Sequence, residues 1–179
     1  MFGRRGQRQL RRVGRRGTPP VLQHANQMMM DGEYVGAANA FGELAQGAEN
    51  LFPRRAPFLY MEAGRAAILG GESKRAVVFL RRGLTLLASQ GRLHRMQMLG
   101  QRAMDELTAR GLNAEAKEIA ELMGASLPKE PPTQPAPVKH PVLPTHCPSC
   151  GGAVRSDEIE WIDDITAECD YCGNPLRGE

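Results

Sequence analysis

The four cysteines of this 179-residue chain fall into two Cys-x-x-C pairs near its end. Cys147-Pro148-Ser149-Cys150 and Cys169-Asp170-Tyr171-Cys172 are separated by 18 residues, with no cysteine left over. That spacing is the one expected of a four-thiolate zinc site. Each pair makes a tight turn that points two sulfurs at one centre, and two such turns complete a tetrahedron. Pro148 fixes φ inside the first turn. Gly151 and Gly173 follow their pairs, where the backbone needs φ > 0 and must pass close to sulfur. The expected ligands are therefore Cys147, Cys150, Cys169 and Cys172, around one structural Zn2+. A catalytic ion is not expected, because four thiolates leave no open position for water. Paired disulfides suit a secreted chain, yet residues 1–20 contain no apolar leader core. A redox pair needs a strand-to-helix setting that a short tail behind prolines does not offer. His146, beside Cys147, reads as a solvated neighbour, with displacement of one cysteine as the alternative.

The pattern Cys-Pro-x-Cys-Gly followed by Cys-x-Tyr-Cys-Gly resembles the zinc ribbon family, over about residues 145–179. With one Trp and few other large apolar groups, this segment cannot bury enough surface to fold alone. Metal binding, worth roughly 10–16 kcal/mol in small zinc domains, is expected to supply the folding free energy. Between the pairs, Glu158 to Thr166 partly alternates and predicts a short β-hairpin turning near Asp163-Asp164. Trp161 is read as core for a module with little else to bury, or as a lid on the metal or a binding aromatic. Eight acids stand in residues 145–179 against Arg155 and Arg177. So acidic a surface repels phosphate and favours protein contact or a purely structural role.

The chain holds only 5% aromatic residues, and its middle is rich in Ala, Leu, Met and Arg, a bias toward helices. Gly32, Gly71 and Gly111 recur at intervals of 39 and 40 residues, each with an alanine five positions on: Ala37, Ala76 and Ala116. Nine residues after each glycine stands Phe41, Leu80 or Ala120. Ala25, Ala63-Gly64 and Ala103 offer small residues in the stretches before the glycines. The spacing predicts helical hairpins: a helix ends at Gly, the chain turns, and a second helix folds back with Ala at the closest approach. Ala76, Leu80, Leu84 and Leu87 make one apolar stripe, with Ser73 placed to cap it, and Met96, Gly100, Ala103 and Leu107 make another. With Tyr34 and Phe41, the Gly-x-x-x-x-Ala turn resembles the tetratricopeptide repeat over about residues 18–125. The Trp and closing Pro typical of that family are missing, and the period exceeds the usual 34. The rival reading is a plain helical bundle. The resemblance implies three stacked hairpins, a mainly α solenoid, whose first helices line a surface for a peptide or partner helix. Met28, Met29, Met30, Met96 and Met98 lie on those helices, as adaptable contacts or as core filler.

Residues 126–144 hold seven of the thirteen prolines and read as an extended tether. Residues 1–17 carry Arg4, Arg5, Arg8, Arg11, Arg12, Arg15 and Arg16 with no acid, and glycines interrupt any helix there. Four roles fit this arm: contact with RNA or DNA phosphates, an anionic membrane surface, an acidic protein surface that includes the chain's own ribbon, or a solubilising tail. No apolar stretch is long enough to span a membrane. None of the familiar nucleotide, hydrolase or metalloprotease motifs is present, and the four histidines are scattered. The expectation is a cytoplasmic, non-catalytic adaptor without a small-molecule substrate, binding protein partners through its helices and its acidic ribbon. The alternative is a regulator that binds nucleic acid through the arm.

Overall fold

The computed structural model describes residues 20–126, 140–156 and 159–178. Within them lie six helices: α1 Pro20–Asp31, α2 Tyr34–Leu51, α3 Ala56–Leu69, α4 Ser73–Ser89, α5 Leu93–Ala109 and α6 Asn113–Ser126. Three short strands follow: β1 Glu160–Trp161, β2 Thr166–Glu168 and β3 Pro175–Arg177. The arginine arm and residues 127–139 of the tether lie outside the described residues.

One backbone device makes four of the five helix connections. Gly32, Gly71, Gly91 and Gly111 take φ between +71° and +81°, a conformation that costs other residues a clash at Cβ. The amide of the next residue then reaches back to a carbonyl five positions earlier: Glu33 to Met28, Glu72 to Ala67, Arg92 to Leu87 and Leu112 to Leu107, at 2.8–2.9 Å. This satisfies carbonyls that a helix end leaves orphaned. The same four residues' own carbonyls accept the amides of Ala37, Ala76, Met96 and Ala116. One turn thus ends a helix and starts the next, and α2 to α5 begin without any side-chain cap. Ser73, expected to cap α4, is its first helical residue, and the cap position belongs to Glu72. The α2–α3 connection differs, running through Phe52–Arg55 with Pro57 in the first turn of α3.

Each helix packs on the next, and α3 also meets α5 while α4 meets α6. Ala25, Ala37, Ala63, Ala76 and Ala103 are buried where helices approach, and Phe41, Leu80, Leu84, Leu87, Met96, Leu107 and Ile119 fill the space around them. Met96 is therefore core, whereas Met30 is 69% exposed. In the last hairpin the apolar register departs from the nine-residue rule: Ile119 is buried and Ala120 exposed. α6 packs chiefly on α5 and α4, so its outer flank faces solvent. α3 is buried on nearly every side, from Ala56 through Met61 and on to Ile68.

In the sheet, β2 pairs antiparallel with both neighbours, placing Trp161 opposite Ala167 and Ala167 opposite Leu176. The hairpin turns where the sequence indicated: the Asp163 carboxylate accepts the amides of Ile165 and Thr166 at 2.9 and 2.6 Å. Those bonds hold its pKa below the usual carboxylate range. β3 had no counterpart in the sequence reading. The end of the tether also joins this module: Leu143 is 5% exposed, and His140 stacks on half-buried Trp161 with ring centroids 4.0 Å apart. Among the described residues no helix is long and apolar enough to cross a membrane.

Candidate metal centre

Cys147, Cys150, Cys169 and Cys172 converge, all four buried, with their sulfurs within 4.8 Å of one another. Two turns of the same design deliver them. Gly151 and Gly173 adopt φ of +75° and +72°, and their amides donate to the carbonyls of Cys147 and Cys169 at 2.9 and 2.8 Å. The amide of Cys147 donates to Gly152, that of Cys169 to Asn174, and the amide of Gly152 points at the Cys150 sulfur from 3.4 Å.

Sulfur spacing decides what the cluster can be. The pairs Cys147–Cys172 and Cys150–Cys169 stand 3.7 and 3.8 Å apart, far beyond the ~2.05 Å of a disulfide. A tetrahedron of thiolates with Zn–S near 2.3 Å has edges of about 3.8 Å, so the four sulfurs fit a zinc ion. The close sulfurs also perturb one another. Hydrogen bonds to Cys169 and Cys172, reinforced by burial, push the Cys150 thiol up, while bonds from Cys150 and Cys169 pull the Cys172 thiol down. His146 is exposed, bonded to Thr145, and outside the sulfur cluster.

Both cysteine turns lie against one face of the helical bundle. From α1, Gln23 Nε2 donates to the Ser149 carbonyl and Asn26 Nδ2 to the Cys150 carbonyl, both at 2.8 Å. From α3, Glu62 Oε1 accepts the Tyr171 hydroxyl at 2.9 Å. From α5, Arg95 Nη1 lies 2.9 Å from Asp170 Oδ2. Burial pushes the Asp170 carboxyl above its ordinary range while the Arg95 guanidinium pulls against it. Arg92 and Arg95 both stack over Phe58, at 4.8 and 5.3 Å from its centroid. The turn glycines admit these neighbours: a Cβ on Gly173 would sit 1.8 Å from the Arg55 guanidinium. Beside the contact, a cleft of about 300 Å³ is lined by Phe52, Arg54, Arg55, Arg92, Glu160 and Glu168.

The structure thus brings together the four sulfurs singled out in the sequence. The seven arginines of the arm lie outside the described residues. Sequence reasoning missed Gln23, Asn26, Glu62 and Arg95, which read as ordinary polar positions on helices. No family model, curated protein or solved structure matches this chain.

Proposed function

We propose that this protein is a non-catalytic cytoplasmic adaptor: a tetratricopeptide-like solenoid of three hairpins that binds other proteins, carrying a zinc ribbon as a second interaction module. The ribbon's zinc is structural. The observation that carries this reading is the way α1, α3 and α5 together hold a folded acidic module through Gln23, Asn26, Glu62 and Arg95. First helices of successive hairpins share one face in a stacked array, and a face that seats its own ribbon has the chemistry to seat another protein. The α3–α5 and α4–α6 packing supports stacking of the second hairpin on the third. A closed thiolate shell supports a structural metal, since it offers substrate no coordination position.

Affinity capture from native lysate tests the reading, comparing the full chain with a form lacking residues 1–17 and one with Asn26 and Arg95 changed to Ala. Protein partners captured equally without the arm, and altered by the helical substitutions, support the adaptor. Capture of nucleic acid that fades steeply with salt and vanishes without the arm supports the phosphate-binding alternative.

A further inference from the structure

Among the described residues, two polar side chains of the helical bundle are buried, Asn26 and Arg95, and both end on cysteine turns. A buried polar group is costly without a partner, and here the partners are supplied by the C-terminal module. Asn26 holds the carbonyl of Cys150, at the peptide leading into Gly151, whose amide closes the first turn on Cys147. Arg95 and Glu62 hold Asp170 and Tyr171, the two residues between Cys169 and Cys172. The inner corner of each cysteine turn is therefore fixed by a helix.

We propose that the α1/α3/α5 face is the outer layer of the metal centre: Asn26, Glu62 and Arg95 position the two cysteine turns, so that metal binding and docking of the module are linked. This inference rests on the zinc reading given above. A module of this size, with Leu143, Ala167 and Leu176 as its buried aliphatic side chains, has little core of its own to hold four sulfurs in place. Partners beyond the ligands themselves orient a site and raise its affinity. Linkage is reciprocal. Loss of metal loosens the turns and weakens their hold on α1, α3 and α5, and a protein that takes this face displaces the module and loosens the metal.

The test is zinc affinity of the full chain by competition with a colorimetric chelator. Asn26→Ala, Arg95→Ala and Glu62→Ala should each weaken zinc by roughly 10-fold or more, as outer-layer partners do elsewhere. Glu62→Gln keeps an acceptor for the Tyr171 hydroxyl and should stay close to wild type. Helical circular dichroism identifies any variant that loses its fold. A second measurement needs no variant: stripping zinc from the wild-type chain should raise amide exchange around residues 23–26, 58–62 and 92–95. Affinities indistinguishable from wild type in folded Ala variants, or exchange unchanged on stripping, overturn the linkage alone. A purified chain that binds no zinc overturns both the linkage and the reading beneath it.

Discussion

Glu160 of β1 stands directly across from Glu168 of β2, a pairing of like charges that by itself works against the hairpin. The helical side compensates. Arg54 and Arg92 lie 3.1 and 3.4 Å from Glu160, and Arg55 lies 3.9 Å from Glu168. The two hairpin carboxylates are thus met by arginines of the α2–α3 connection and of the turn before α5. Exposure separates these arginines. The Arg54 side chain is 74% exposed and that of Arg92 13%, and Arg92 also donates to the Arg54 carbonyl at 3.0 Å. Arg54→Ala should therefore cost under about 1 kcal/mol, as exposed pairs do. Arg92→Ala should cost about 1–3 kcal/mol, because it removes a largely buried side chain stacked over Phe58 and the bond to the Arg54 carbonyl along with the ion pair. Glu168→Gln should recover part of the Arg92→Ala loss. Urea unfolding midpoints measure all three.

Close packing of α3 on α4 sets a second expectation. A Cβ on Gly83 would lie 2.9 Å from the Pro57 carbonyl oxygen and 3.0 Å from Met61 Sδ, whereas a Cβ on Gly47 would meet nothing within 4 Å. The carbonyl belongs to helix backbone and cannot step aside. Gly83→Ala should destabilise by about 1–3 kcal/mol. Gly47→Ala, in the interior of α2, should stabilise by up to about 1 kcal/mol. Thermal unfolding of the pair checks the opposite signs.

Such contrasts show what the sequence could reveal. Gly32, Gly71 and Gly111 were legible because a helix that ends and reverses needs φ > 0, and Gly meets that need. Gly91 performs the same turn yet escaped the repeat, since Met96 occupies the place five residues on where the other turns have Ala. The sulfur cluster was legible because the thiolates sit at local, fixed spacing. Docking was not, because its contacts join residues 68 to 126 positions apart that each look solvated alone. One trace of it was present: Phe58-Leu59-Tyr60-Met61 makes α3 apolar all round, and such a helix must be covered on every side. The acidic balance of residues 145–179 against arginine-bearing helices pointed the same way.

Alkaline stability should report on Tyr60, whose hydroxyl donates to Glu49 Oε1 at 2.6 Å. Arg82 pairs with the same carboxylate, holding Glu49 below its ordinary range. Burial, then the bond to Glu49, pushes the Tyr60 phenol up to about 12. The folded state therefore keeps this proton after the unfolded chain, whose tyrosine titrates near pH ~10, has lost it. The stabilisation is complete below about pH 10 and is lost as pH rises through about 12. Tyr60→Phe should flatten the fall in unfolding midpoint across that window; an unchanged slope would contradict the assignment.

Trp161 is the single tryptophan of the chain and stacks on His140, within the module that holds the sulfurs. Stripping the metal should shift its emission to the red while the far-ultraviolet signal of the helices persists. The helices should survive because their core of Phe41, Leu80, Leu84 and Leu107 does not draw on the metal for stability. An emission spectrum unaffected by chelation would separate the fold of this module from its metal.

Zinc K-edge X-ray absorption on the purified protein reads the centre itself. Four sulfur neighbours at about 2.3 Å, with one zinc per chain, are the predicted result. A shell containing nitrogen or oxygen, or protein that carries no metal and has its cysteines joined as disulfides, would contradict it.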